Sequence, residues 1–338
     1  LYLFGASPAV CSSFVAGRAH ELQALNEHTM YMPYGTSLRM GRLGYQSDAQ
    51  ASIAVSFNSL DGYGASLQEA LTRPYPAYEA VGVRNLGGDY NQLSTSLLQI
   101  ENEFYGTIRP KRVIQPGERP LHALRERGVE YIEVRLMDLE PFIPVGITAQ
   151  TMRFLDVFLL HCLLSDSPPD TPREMVETSH SRDRVAARGR EPGLRLERDG
   201  REVPMVDWGM ELLQEFAPIA ARLDAVYGGE HHRQALAAAR AGLEDASTLP
   251  SARVLAAMSS AFDNSFTGFA RAQSLQTRRT LLSLPFSVEQ QARFRAMAQQ
   301  SVEDQKKIEA ADTVPFDIYL QQYLSPERLG LPPQPHAA

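Results

Sequence analysis

Apolar and polar positions change rhythm part-way along this 338-residue chain. From Tyr31 to about Gly146 the signals are short extended runs separated by Gly, Pro and Asn. Ser52–Ser59 puts Ile53, Val55 and Phe57 on one face, and Leu97–Tyr105 and Val129–Leu136 alternate in the same way. A period of two predicts strands with one dry and one wet side. Between the first two runs the pattern predicts a helix over Leu60–Thr72, ended by Arg73-Pro74, because a residue before proline is pushed out of the helical region. Val113–Pro120 reads as a turn-rich loop. Few strand–helix–strand spacings are present, so the sheet should be antiparallel rather than doubly wound.

After Thr148 the period lengthens and helices dominate. One is predicted over Thr148–Leu164, broken by Ser167-Pro168-Pro169, and its apolar stretch Met152–Leu164 reads as a buried core helix. Others are predicted over Arg173–Arg188 with Gly189 as the stop, over Trp208–Tyr227 ending at Gly228-Gly229, and over Glu230–Leu243. Ser287 with Gln290 forms a capping-box signature at the start of a long helix, Val288–Ala311. The expected fold class is α+β. Residues 1–147 carry the sheet, residues 148–325 form a mainly helical region packed on it in the same unit, and residues 326–338 form a flexible, proline-containing tail.

Composition narrows the function classes. Thirty-three basic and 40 acidic residues leave a net charge of −7, which argues against a nucleic-acid partner, since that needs a concentrated basic face. No uncharged run approaches the roughly 20 residues of a membrane helix, so no membrane association is expected. Cys11 and Cys162 cannot build a disulfide framework, which fits a reducing cytoplasm. The chain opens Leu1-Tyr2-Leu3-Phe4 without an initiator methionine or a targeting pattern, and so reads as part of something longer.

Motifs for chemistry are sparse. Gly5-Ala6-Ser7-Pro8-Ala9 is one glycine short of a nucleophile elbow, and no phosphate-binding glycine loop occurs. His231 and His232 are neighbours on a predicted helix and point about 100° apart, so they cannot share a metal; His161 and Cys162 read as core residues. The strands say more. Period two puts Tyr131, Glu133 and Arg135 on one face, opposite Ile132 and Val134. It also groups Gln99, Glu101, Glu103 and Tyr105, and the basic cluster Ile108-Arg109-Pro110-Lys111-Arg112 follows directly. Carboxylates and guanidinium groups on one face can hold Mg²⁺ and phosphate. A solvated face of alternating charge pairs is the simpler reading of the residues alone.

Ordered blocks along the chain carry a resemblance. Tyr2-Leu3-Phe4-Gly5-Ala6-Ser7-Pro8-Ala9, Thr36–Met40 with Leu43-Gly44-Tyr45, and Leu98–Glu103 resemble the proteobacterial glutamate–cysteine ligase family, also called γ-glutamylcysteine synthetase. Ile108–Arg112, Glu130–Arg135, Arg153-Phe154-Leu155-Asp156, and Glu309–Thr313 with Pro315-Phe316 continue it in the same order. The resemblance implies a glutamine-synthetase-like antiparallel sheet curved into a funnel. It implies ATP-dependent joining of the glutamate γ-carboxyl to the cysteine amine through a γ-glutamyl phosphate, the first step of glutathione synthesis. L-glutamate, L-cysteine and ATP would be substrates, with Mg²⁺, or Mn²⁺ in its place, as the metal.

Carried over by position, Glu133 matches a metal-binding glutamate and Arg135 an arginine on the transferring phosphoryl group. Arg39 matches an arginine that anchors a substrate carboxylate, and Tyr45 and Tyr105 match residues lining a cysteine pocket. Arg109 and Lys111 match nucleotide-phosphate contacts. The family's upstream segment, which supplies further metal ligands, has no counterpart here, so the chain by itself is expected to be inactive. The alternative is a non-catalytic glutamine-synthetase-like binding or regulatory protein. The oligomeric state is not legible.

Overall fold

The computed structural model describes residues 1–44, 49–50, 53, 55–325 and 328. In chain order the described elements begin with β1 (Ala9–Cys11), α1 (Ser12–Val15), β2 (Gln23–Asn26), β3 (Thr29–Tyr31), α2 (Leu60–Thr72) and α3 (Pro76–Val81). There follow β4 (Ile108–Lys111), α4 (Pro120–Arg127), β5 (Tyr131–Val134), α5 (Ala149–Leu164), α6 (Pro172–Arg188), β6 (Arg195–Arg198) and β7 (Arg201–Pro204). Helices complete the series: α7 (Met205–Tyr227), α8 (His231–Glu244), α9 (Pro250–Ala261), α10 (Phe266–Ser283), α11 (Val288–Ala311) and α12 (Phe316–Tyr323).

Local signals set many of these boundaries. Thr148 accepts the Thr151 N–H and starts α5, while Thr171 and Ser287 start α6 and α11 with complete capping boxes. The end of α6 depends on more than local sequence. A Cβ on Gly189 would stand 2.6 Å from the Val185 carbonyl and 2.7 Å from the Thr36 methyl, so only glycine lets the segments approach. Asp199-Gly200, both at positive φ, turns β6 into β7 as a two-residue hairpin.

The chain divides into two compact units. The first comprises Leu1–Ser59, Tyr105–Arg109 and Val134–Arg278. In it α5, α7 and α8 pack around Val157, Leu213, Phe216, Ala220, Leu236, Ala239 and Leu243. A three-stranded antiparallel sheet of order β1-β3-β2 is covered by α9 and α10 through Ala9, Val254, Met258 and Phe269. The β6–β7 hairpin packs on α6 through Val185, Leu194 and Leu196.

The second unit comprises Leu60–Phe104, Pro110–Glu133 and Arg279–Ala338. Tyr63, Leu67 and Ala70 of α2 and Leu121 and Leu124 of α4 are buried here, as are Leu97 and Leu98. Helix α11 buries none of its residues. The division runs through the β4–β5 ribbon, whose antiparallel pairing is marked by Arg135 N–H to Thr107 O and Glu130 N–H to Lys111 O, each 2.9 Å.

Helix α2 and the long helices fall where the periodicity put them, as does the strand within Val129–Leu136. Three expectations are corrected. Leu97–Tyr105 is not a strand: Glu101–Glu103 forms one 3-10 turn, because Glu101 turns inward to a buried arginine and Glu103 caps the Gln99 N–H at 2.7 Å. In Ser52–Ser59 no strand forms among the described residues; Val55 is buried but Phe57 is exposed, and Asn58 is tied to Asp170 through its side chain. Helix α5 is buried along one stripe only, at Val157, while Cys162, Leu163 and Leu164 are exposed. His161 packs edge-on against Phe216 and lies 3.3 Å from Glu215. The catalogue of elements is thus a mixture of helices with small antiparallel sheets.

Candidate active site

Two groups of side chains contain four of the residues singled out above, one group in each unit. In the second unit Glu133 stands on β5 and Lys111 on β4, and their charges meet at 3.5 Å. Arg112 and Glu130 form a second cross-strand pair at 3.6 Å. Both pairs are partly solvated, so each contributes about 0–1 kcal/mol to stability.

The first unit holds Arg39, Arg135 and Asp138. Ser37 caps a 3-10 turn, Leu38–Met40, by accepting the Met40 N–H, and the turn projects Arg39. The Arg39 guanidinium donates to the Arg135 carbonyl at 2.9 Å and the Met137 carbonyl at 3.2 Å. Its Nη1 lies 3.7 Å from Oδ1 of Asp138, a buried carboxylate. The other oxygen, Oδ2, accepts the Ala6 N–H at 2.9 Å and the Ser7 hydroxyl at 2.7 Å. Gly44 presses on the same turn: a Cβ there would lie 2.1 Å from the Arg39 carbonyl oxygen.

The strand face expected to hold Gln99, Glu101, Glu103 and Tyr105 does not exist. Glu101 is bound bidentately by Arg119 (Nε at 3.0 and 3.1 Å, Nη2 at 2.6 Å), and both are buried. Tyr105 is exposed, and its backbone N–H donates to Gln50 Oε1 at 2.9 Å. Arg109 is only 4% exposed, so its guanidinium lies inside the fold. Tyr45 lies outside the described residues. Arg39 and Arg135 are therefore brought together, and so are Lys111 and Glu133.

Asp138 and Ser7 are the site residues that period and motif reasoning missed. For Ser7 a signal was present, because it sits inside the ordered block Tyr2–Ala9, whereas Asp138 lies three residues beyond the Glu130–Arg135 block. Beside Asp138 a cavity of about 390 Å³ is lined by Phe4, Met137, Thr148, Phe154 and Arg253. Another, of about 520 Å³, runs along the Arg39 turn between Leu38, Arg42 and Leu43 and the end of α6 at Arg184 and Arg188.

Among the described residues no group of three His, Cys, Asp or Glu side chains could hold a metal ion. Glu133 offers one carboxylate, next to a lysine. The described residues thus do not by themselves fit a divalent cation, which takes oxygen ligands from several groups. No helix among them is long and apolar enough to cross a membrane.

Comparison with known proteins places these groups in a wider context. The glutamate–cysteine ligase family model matches residues 1–185. A glutamate–cysteine ligase of Janthinobacterium sp. (strain Marseille) is 48% identical over 323 residues, which is 96% of this chain and 61% of that protein. One from Pseudomonas fluorescens (strain Pf0-1) is 46% identical over 96% of this chain and 60% of its own length. Among solved structures, glutamate–cysteine ligase from Francisella tularensis in complex with AMP superposes with a TM-score of 0.89 at 32% identity, over 96% of this chain and 63% of that one. A bifunctional glutathione synthetase from Pasteurella multocida (TM-score 0.59, 20% identity, 86% of this chain and 31% of that one) shares the fold. The chain thus spans about three fifths of the length of the relatives it matches.

Proposed function

Because the chain belongs to the glutamate–cysteine ligase family, we propose that the protein joins the γ-carboxyl of glutamate to the amine of cysteine with cleavage of ATP to ADP and phosphate. The observation that carries this reading is the family match over residues 1–185, which includes every residue proposed for the reaction. The AMP bound to the Francisella tularensis relative supports a nucleotide as substrate.

A carboxylate is a poor acyl donor. Its oxygen attacks the γ-phosphorus of ATP, ADP leaves, and a γ-glutamyl phosphate results. The cysteine nitrogen then attacks the acyl carbon, loses a proton, and expels phosphate. Negative charge develops on the transferring phosphoryl group, and arginine and lysine stabilise it by preorganised contact. We assign Arg135 to that group and Lys111 and Arg109 to the nucleotide phosphates. Arg109 is desolvated, and an anion beside such a charge interacts more strongly than in water. Arg39 is assigned to a substrate carboxylate, and Tyr45 and Tyr105 to the cysteine pocket.

Glu133 is the carboxylate we assign to a Mg²⁺ site, or Mn²⁺ in its place, completed by further ligands. The β4–β5 ribbon is proposed to belong to an antiparallel funnel of the glutamine-synthetase kind, and a cytoplasmic location is proposed from the two free cysteines. The test is cysteine-dependent ADP release by the intact protein. Glu133→Gln should lower kcat by about 100-fold or more while the melting temperature stays put. Normal turnover in that variant would remove Glu133 from the reaction, and absence of cysteine-dependent ADP release in the wild type would remove the ligase reading.

A further inference from the structure

Asp138 is a buried acid that no step above uses, and the Gly5-Ala6-Ser7-Pro8 string is a sequence block that the reaction does not explain. The structure joins them. Asp138 Oδ2 accepts the Ala6 N–H and the Ser7 hydroxyl, and Oδ1 faces Arg39 Nη1 at 3.7 Å. Ser7 also holds the turn that carries Arg39. Its N–H donates to the Thr36 carbonyl at 3.2 Å, and its carbonyl accepts the Leu38 N–H at 2.7 Å. Its hydroxyl lies 3.3 Å from that of Ser37, the residue that caps the turn. Gly5 permits this approach, since a Cβ there would sit 2.7 Å from the Thr36 carbonyl oxygen.

We propose that Asp138 is a positioning residue for the ligase reaction: held by Ala6 and Ser7, it sets the plane of the Arg39 guanidinium against the chain leaving β5 at Arg135–Met137. This deepens the ligase reading above and rests on it. A long side chain at the surface otherwise samples many rotamers, and freezing it on substrate binding costs free energy each time. Here the freezing is done in advance by two carbonyls and a carboxylate. The carboxylate stands too far from Nη1 for a hydrogen bond, so it orients the charge without taking up a donor. The same guanidinium holds the Arg135 carbonyl, so the residue assigned to the carboxylate and the residue assigned to the phosphoryl group share one support.

The experiment uses the intact protein and steady-state ADP release with glutamate, cysteine and ATP varied in turn. Asp138→Asn keeps the volume and an oxygen for Ala6 and Ser7, and removes the charge that faces Arg39. The KM of the amino acid whose carboxylate Arg39 holds should rise about tenfold, with the KM of ATP within about twofold of wild type. Adding Asp138→Asn to Arg39→Lys should then cost nothing further, because the group through which Asp138 acts is already lost. Ser7→Ala, which leaves the carboxylate in place with one partner fewer, should shift the same KM by about threefold and keeps the test usable if Asp138→Asn fails to fold. Full additivity with Arg39→Lys, an equal rise in the KM of ATP, or a fall in melting temperature with unchanged KM values would each overturn the proposal. An inactive wild type would instead overturn the ligase reading.

Discussion

Replacing Glu101 by glutamine should loosen the second unit far more than a surface change would. Arg119 is 1% exposed and its guanidinium is committed on every side. Nε and Nη2 bind the Glu101 carboxylate, Nη1 donates to the Tyr323 carbonyl at 2.8 Å, and the group lies 4.6 Å over the Tyr323 ring. Glutamine keeps the shape but leaves a buried cation without its counter-charge. Breaking a buried pair in this way costs about 3–5 kcal/mol. At the lower bound the equilibrium for opening this unit rises roughly 150-fold, since about 1.4 kcal/mol is a factor of ten.

Native-state hydrogen exchange is the suitable assay, because a chain with two compact units need not unfold in one step. The amides of Leu98 and Ala123, bonded to the Ala70 and Arg119 carbonyls, report on the second unit. Those of α8 report on the first. Exchange at Leu98 and Ala123 should accelerate about 100-fold in Glu101→Gln with α8 unchanged. The paired change Glu101→Leu with Arg119→Met should recover most of the loss, as apolar replacements of buried ion pairs do. Acceleration below about tenfold, or equal acceleration in α8, would refute the reasoning that an uncompensated charge is the cause.

Other consequences follow from single contacts. Asp224 at the end of α7 is buried, which by itself would raise its pKa, yet the N–H groups and side chains of His232 and Arg233 hold the carboxyl far below its ordinary range. Asp224→Ala should therefore fray the start of α8 at a cost of about 2 kcal/mol, seen as faster exchange there. Glu118 is held down to about 2 by the Arg127 guanidinium and the Gln115 N–H. Its contribution is thus present above the ordinary carboxylate range and lost as the pH falls towards 2. In Arg127→Gln the Glu118 carboxyl should titrate nearer its ordinary value by NMR, and an unmoved titration would deny the pair its role. Gly44→Ala should displace the Arg39 turn and raise an amino-acid KM while leaving that of ATP unchanged, because the added methyl has no room against the Arg39 backbone.

What the chain's own order of residues determined about this protein is much of what closes within a few positions. Capping by Ser287 and the helical period of α2 and α11 involve partners at most a few residues away, and the structure has them where expected. The Asp199-Gly200 turn is equally local, although the apolar periodicity does not predict it. The family was legible for a related reason: ordered blocks survive in sequence whatever their contacts are.

Only the tertiary structure decided the rest. Leu97–Tyr105 alternates like a strand, but the fold needed Glu101 turned inward to Arg119, 18 residues on. That distant ion pair outweighs a weak local preference and makes a 3-10 turn. The Arg39 group closes over still longer separations, 96 residues to Arg135, while Asp138 reaches 132 residues back to Ala6. No periodicity encodes such contacts, because a carboxylate and a guanidinium meet through space and carry no record in sequence of which partner each will find.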